Sequence, residues 1–531
     1  MRANASRIVL FTLAAGQFLM TLDSSVMNVS IATVAADVGT TVSGIQGAIT
    51  AYTLVMAALM ITGGKIGALI GRKRAFAIGC VIYGCGSMTT ALAPNLPVLL
   101  FGWSFLEGVG AALIMPAIVA LVAQNFATAE RPAAYGLVAA AGAIAVAAGP
   151  LIGGFATTYL SWRWVFAGEV VVVLAILVLA RRLSDTPPAV RPHIDLVGAV
   201  LSAAGLALLV FGVLRSGVWG WVQPKPGAPS WFGISPTIWL VLAGLLVIWL
   251  FFRWQARVEA TGGEPLVSPS LFKSAQLVGG LVMFFFQYLV QAGVFFVVPL
   301  YLSVALGLSA LDTGVRILPL SIALLAAAVG VPRLWPGASA RLVVRLGIVL
   351  LLAGTVVLLA KLAPDSGPEV VAVPLLLIGL GMGALASQLG AVTVSSVPDS
   401  QSAEVGGLQN TVTNLGASIG TALAGSIMIA ALTSSFLAKV EASPAIPAKA
   451  KQEAAVKLAG GAPFVSDAAL ESALQKAGAD SAASEAALEA NRDARIDGLR
   501  PALAMLAVLA AVALFFTPRI PARGPQAAAA G

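Results

Sequence analysis

Apolar residues along most of this chain do not alternate with polar ones. They run on for about 20 positions at a time, and polar and basic residues are confined to the breaks between runs. Twenty residues at 1.5 Å each reach about 30 Å, the thickness of a bilayer's hydrocarbon core. Such runs fall near 8–31, 45–69, 75–93, 97–123, 133–157 and 163–181, then near 195–214 and 232–252. Six more follow near 276–301, 313–331, 342–361, 368–392, 404–431 and 499–518. The pattern predicts an all-α polytopic membrane protein of about fourteen spans. Its expected parts are an N-terminal six-helix half over 1–185, an inserted helix pair 7–8 over 186–260, and a C-terminal six-helix half over 261–531. Between the last two spans, 436–498 is polar, Ala-rich and mixed in charge, with Lys449, Lys451, Glu453, Lys457, Asp467, Glu471, Lys476 and Glu485 at partly helical spacing. This stretch reads as a solvated helical cap or a mobile loop, or more sharply as an extracytoplasmic docking site or exit-gate lid.

Composition agrees with the membrane reading. With 59% hydrophobic and 10% charged residues, the 531-residue chain cannot form a water-soluble globule. The net charge of +8 comes from short basic clusters between apolar runs, where an inner-leaflet surface accounts for them, so no nucleic-acid partner is implied. Arg2 and Arg7, Arg72 to Arg74, Arg131, Arg181, Arg182 and Arg191, Arg253, Arg257 and Lys273, Arg333, Arg341 and Arg345, and Arg519 and Arg523 fall on one side if the spans alternate. The other side carries few cations, chiefly Arg163, Arg215, Lys225, Arg316 and Lys361. The positive-inside rule then places both termini in the cytoplasm of a multi-pass protein of the cell membrane. The first run is too long for a signal peptide and is expected to be an uncleaved helix. Cys80 and Cys85, the two cysteines, are about 7.5 Å apart along one predicted helix and on roughly opposite faces, so they cannot bridge each other.

An ionised carboxylate at mid-bilayer costs about 2.5–3.5 kcal/mol on insertion scales, so each intramembrane acid asks for a function. Asp23 lies well inside helix 1, on a face with Gly16, Met20, Met27 and Ser30. Glu107 lies near the middle of helix 4, on a face with Trp103, Gly110 and Ile114. Glu169 is one to two turns into helix 6 and reads as shallower. His193 and Asp195, at the start of helix 7, fit surface or capping roles, and Asp312 and Arg316 are spaced for a local pair. Gln287 and Gln291 in helix 9, near Phe284, Tyr288 and Phe295, and Asn410 and Asn414 in helix 13 offer amides beside rings. Such a set suits a drug-sized, often cationic ligand, with interhelical amide pairs and lipid-facing rings as the alternative. No phosphate-binding loop, metal-ligand cluster or nucleophile–base set is present in the sequence, so no ATP-driven pump, enzyme, cofactor or metal is expected.

Within the fifth run, Ala141 to Gly154 reads AGAIAVAAGPLIGG. Gly149-Pro150 removes a backbone donor and bends the helix, while Gly142, Gly149, Gly153 and Gly154 leave one flank without side chains. Gly149-Pro150-x-x-Gly153-Gly154 resembles the antiporter motif of the major facilitator superfamily, the mark of its proton-coupled exporters. Leu22 to Val29 is similar to the helix-1 motif of that superfamily's fourteen-span drug:proton antiporters, in which the acid takes part in proton coupling, and Tyr52 also fits. Gly64 to Arg74, GKIGALIGRKR, resembles the loop between helices 2 and 3, where Gly64, Gly71, Arg72 and Lys73 would serve as a cytoplasmic gate. The family's acid in that loop is Ala68 here, so the resemblance does not carry over the latch that this acid supports. In helix 4 the frame Glu107 to Ala112 with Pro116 matches, but Ser104 stands at the usual arginine position and Glu107 replaces a glutamine. Trp162 to Phe166, Pro265-Leu266 through Leu271-Phe272, and Gly406 to Thr411 extend the likeness over nearly the whole chain. The resemblance implies a major facilitator fold and proton-driven efflux of amphipathic, cationic small molecules. It implies proton coupling at Asp23, to which the residues themselves add Glu107 as a second proton-coupling acid and a substrate cavity lined by Met20, Met27, Trp103, Gln287, Gln291, Asn410 and Asn414. Protons, a small-molecule substrate and membrane lipids are the expected partners of a functional monomer. Export or flipping of an endogenous lipid or metabolite is the nearer alternative, and a non-transport scaffold acting through 436–498 the farther one.

Overall fold

The computed structural model describes residues 2–126, 131–184, 195–335, 337–397, 402–458 and 461–522. Arg191, His193 and Arg523 lie outside the described residues, as do the side chains of Arg2 and Arg131. The first half comprises α1 (Arg2–Asp37), α2 (Val42–Ile70), α3 (Arg72–Ala91), α4 (Leu96–Val122), α5 (Arg131–Tyr159) and α6 (Arg163–Ala180). The inserted pair is α7 (Leu196–Trp219) and α8 (Pro236–Ala260). The second half comprises α9 (Ala275–Ala305), α10 (Ala310–Leu334), α11 (Ala340–Lys361), α12 (Ala372–Val394), α13 (Ser402–Ala442) and, after two short helices α14 (Ala448–Lys457) and α15 (Asp467–Lys476), α16 (Ser481–Leu514). Helix starts are written in the sequence. Thr41, Asn95, Asp195, Ser235, Ser274, Ser309 and Ser339 each accept a first-turn backbone N–H, satisfying a donor that has no intrahelical partner.

Thirteen helices among the described residues are long and apolar enough to cross a membrane, where the run pattern predicts about fourteen. The exception is α3, whose Arg72 to Arg74 start, glycines and hydroxylated Ser and Thr residues lower its hydropathy. It nonetheless runs between the same two ends of the bundle as its neighbours. At one end, which also carries the chain's C-terminal segment, Lys73 Nζ donates to the Arg181 and Leu183 carbonyls, Asn125 bonds Ser184, Gln276 bonds Ser395, and Arg341 bonds the Pro518 and Ile520 carbonyls. At the opposite end Arg163 pairs with Asp37 and donates to the Ala93 carbonyl, which follows α3.

That opposite end carries a folded cap rather than a mobile loop. The apolar runs end where the lipid-facing sequence ends, but the helices do not. Past 431, α13 continues to Ala442, and α16 begins at Ser481, before the predicted 499. The two extensions pack on Val440, Ile446, Ala483, Ala487 and Ala490, and Lys439 pairs with Asp493 at 2.9 Å. Buried Arg495 ties the cap to the bundle. It donates to Asp467 at 2.7 Å and to the carbonyls of Val465 and of Val304 in α9.

Helix α5 lies between the halves. A Cβ on Gly149 would strike Ser25 of α1, and one on Gly153 would sit 2.9 Å from Val26 Cα. A Cβ on Gly154 would sit 2.6 Å from the Ala310 carbonyl oxygen of α10, and one on Gly142 3.3 Å from the Gln17 amide. Gly314 of α10 in turn abuts the Pro150 carbonyl, Leu311 N–H donates to Thr158, and Ser321 to the Val146 carbonyl. These contacts hold the halves together from mid-helix to the cap end. A second seam joins α2 to α13, where Gln46 donates to Thr421 and Ser418 to the Thr50 carbonyl. The inserted pair packs on that seam, Ser426 of α13 bonding the Val213 and Leu214 carbonyls of α7.

Candidate functional site

Helix α4 is not a uniform α-helix. Leu100–Glu107 is wound as a π-helix, so Trp103 and Glu107 depart from the 3.6-residue face that spacing alone assigns to them. Trp103 is fully buried and its Nε1–H donates to both oxygens of Asp23, at 2.8 and 2.9 Å. Tyr52 of α2 stacks on the Trp103 ring, centroids 5.1 Å apart and planes 8° from parallel. Ser104, at the place of the family arginine, donates to the Ala48 carbonyl and supplies no charge.

Glu107 reaches the neighbouring α3, where Thr90 Oγ1 lies 3.1 Å from its Oε1. Three glycines permit this approach: a Cβ on Gly86 would sit 2.6 Å from Glu107 Cγ, one on Gly102 2.8 Å from Thr90 Oγ1, and one on Gly110 2.7 Å from Tyr83 N. Glu169 corrects the sequence expectation of a shallower acid. It is buried, and Tyr83 and Ser87 of α3 place their hydroxyls 3.2 and 3.0 Å from its Oε2. Asp23, Glu107 and Glu169, from α1, α4 and α6, each bring one oxygen within 4.8 Å of the other two. Among the described residues no Lys, Arg or His pairs with any of them. Two ionised carboxylates at such a separation repel by about 3.5 kcal/mol at an effective dielectric of about 20, so three unneutralised charges cannot share this site.

The other predicted residues separate into packed and available ones. Met20, Met27 and Trp103 are buried in the main core. Gln287 is buried too, its amide turned toward the Met382 carbonyl of α12 at 3.5 Å with Oε1 unpartnered. Gln291, Asn410 and Asn414 are half-buried, and Asn414 bonds back to the Asn410 carbonyl within its own helix. Gly71 takes φ +99°, which lets the chain turn from α2 straight into α3, where Lys73 caps the end of α6. Gly64 faces Pro116 of α4. Asp195 caps α7 and also accepts from Trp254 and Gln255. Asp312 does not pair with Arg316. Its carboxylate turns to the nearer Ser309 hydroxyl at 2.7 Å, which closes the α10 N-cap. Cys80 is buried and Cys85 exposed, both free.

Thirteen membrane-length helices around buried acids that have no counter-ion among the described residues mark a multi-pass membrane protein. Residues 13–421 match the family model of the Major Facilitator Superfamily, and the chain belongs to that superfamily. It is 31% identical over 448 residues to the puromycin resistance protein pur8 of Streptomyces alboniger, covering 82% of this chain and 84% of that one. It is 28% identical over 425 residues to the tetracenomycin C resistance and export protein of Streptomyces glaucescens, covering 79% and 75%. It is 27% identical over 433 residues to the riboflavin transporter RibZ of Clostridioides difficile, covering 80% and 89%. Among solved structures, peptide transporter POT in complex with sulfate aligns with a TM-score of 0.58 at 15% identity, over 96% of this chain and 95% of that one. At that identity the likeness concerns the fold alone.

Proposed function

We propose that the protein is a proton-coupled antiporter that exports amphipathic, cationic small molecules across the cytoplasmic membrane by alternating access. The observation that carries this reading is the position of the acid cluster relative to the seam. Asp23 lies two and three residues before Ser25 and Val26, the α1 residues that abut Gly149 and Gly153 of α5, and α5 in turn meets α10 of the other half at Gly154 and Pro150. A change of charge on α1 therefore acts on the helix that joins the halves. In the proposed cycle the acids take protons while the cap end is open, and the protonated protein closes there. The protons leave to the cytoplasm as the cation binds, and the halves rock back.

In this reading both termini and the loop at Lys73 are cytoplasmic, the cap lies outside, the basic loops face anionic lipid, and one chain suffices. Half-buried Gln291, Asn410 and Asn414 are the substrate-contacting groups. The relatives named for puromycin resistance and tetracenomycin C export support efflux of antibiotics. The riboflavin transporter among them keeps an endogenous metabolite as the second reading.

The test is ethidium accumulation by proteoliposomes under an imposed pH gradient. Wild type is expected to accumulate the dye and Asp23→Asn, inserted to the same level, is not. Accumulation by Asp23→Asn at the wild-type rate would remove the acid from the mechanism.

A further inference from the structure

Hydrogen-bond chemistry distinguishes the three acids. Asp23 receives the Trp103 N–H on both oxygens. An indole nitrogen only donates, so a proton on Asp23 would meet a donor instead of an acceptor, and the arrangement suits the anion. Thr90 has one hydroxyl hydrogen and two oxygens in reach, the Gly86 carbonyl at 2.9 Å and Glu107 Oε1 at 3.1 Å. The carbonyl can only accept. With the Thr90 hydrogen on it, the Glu107 contact holds only if Glu107 is the donor, which requires the acid form. Glu107 Oε2 has no partner at all.

Glu169 shows the same asymmetry. Both nearby hydroxyls converge on Oε2, while Oε1 is buried with no donor. A bare, buried oxygen costs far more on a carboxylate, which carries charge there, than on a neutral acid. A further buried hydroxyl, that of Tyr52, lies beside the group, its ring stacked on the Trp103 that bonds Asp23. The titratable side chains facing Glu169 are Tyr83 on α3, Asp23 on α1, Glu107 on α4 and, across Asp23, Tyr52 on α2. No cation bonds to any of them among the described residues.

We infer that Glu169 is a third proton-coupling residue, and that in this cap-closed state Glu107 and Glu169 hold the protons while Asp23 holds the charge. This rests on the antiport reading and deepens it. In this state Asp23 is the anion around which the two glutamic acids hold their protons.

The experiment is infrared spectroscopy of the purified full chain in lipid nanodiscs at neutral pH, reading the C=O stretch of protonated carboxyls, combined with a pH-indicator count of protons released when ethidium is added. Glu169→Gln is expected to lose one protonated-carboxyl band and to release one proton fewer per ethidium bound. Glu107→Gln is expected to lose another band, and Asp23→Asn neither. Should Glu169→Gln fail to fold, Ser87→Ala removes one hydroxyl from Oε2 and is expected to shift the Glu169 band to higher frequency. A wild-type spectrum without protonated-carboxyl bands, as a bound metal ion would produce, overturns the assignment. So does an unchanged spectrum in Glu169→Gln or in a folded Ser87→Ala. An unchanged Glu169→Gln spectrum together with pH-driven ethidium transport sinks this inference alone. A lost band without pH-driven transport in wild type sinks the antiport reading and the coupling role with it, and leaves only the protonation states standing.

Discussion

Replacing Gly154 by alanine puts a methyl carbon 2.6 Å from the Ala310 carbonyl oxygen and 2.8 Å from Leu311 Cα. Both are main-chain atoms, so relief requires α5 and α10 to separate. Overpacking of this kind costs about 1–3 kcal/mol. The cost falls on the cap-closed arrangement alone, because once the cap end opens the methyl faces free space. A bias of that size shifts the balance of states about 5- to 150-fold toward cap-open. Gly153→Ala is the matched control, since its methyl would sit 2.9 Å from Val26 Cα. That contact lies within one half, whose helices move together, so its cost weighs on both states. The assay is the distance between spin labels at Tyr159→Cys and Asp312→Cys, both exposed at the cap end, with Cys80 and Cys85 replaced by serine. Gly154→Ala should enlarge the long-distance population and Gly153→Ala should leave it as in the parent. Identical distributions in the two variants would refute a cap-end gate between α5 and α10.

Glu107→Gln should keep transport driven by the pH gradient but lose its response to membrane potential. Two protons per monovalent cation move one net charge, worth about 2.3 kcal/mol per 100 mV or roughly 50-fold in gradient, whereas one proton moves none; full voltage dependence in the variant's proteoliposome flux would count against coupling at Glu107. Gly86→Ala, which would bring a methyl 2.6 Å from Glu107 Cγ, should cut pH-driven ethidium flux about tenfold. Gly390→Ala, with nothing within 4 Å, should stay within about twofold of wild type, and equal flux in both would break the link between α3–α4 packing and coupling. Arg495→Gln removes the cap's tie to Val304 and to partly exposed Asp467 at a cost of about 2–3 kcal/mol. Limited proteolysis should then cut between α13 and α16 far faster than in wild type, and an unchanged cleavage rate would show that the cap is held elsewhere.

Apolar run length made the spanning helices legible because lipid imposes it on each helix singly. Gly142 to Gly154 was legible for the same reason: four residues without side chains on one flank predict a close neighbour, though not that α1 and α10 share it. Glu169 was not legible, because its company depends on Gly86, Gly102 and Gly110 drawing α3 and α4 together, a relation between helices that no single-helix period contains. The π-helical Leu100–Glu107 hid the true neighbours of Trp103 and Glu107 in the same way. The cap stood only as one alternative beside a mobile loop, because hydropathy marks where lipid ends, and α13 and α16 continue past that point on Ala-rich contacts and charge pairs. One available signal was passed over: Tyr83, Ser87 and Thr90 lie three and four apart on α3, a hydroxyl stripe that no lipid-facing helix needs.

The central claim is that outward movement of a cation is exchanged for inward movement of protons through the Asp23 cluster. Proteoliposomes enclosing a pH-sensitive dye, with an ethidium gradient and no initial pH difference, test it directly. Wild type should move protons against the ethidium flow as soon as the gradient is imposed, and Asp23→Asn should show none. Ethidium crossing on wild type with the internal pH unchanged would contradict the account.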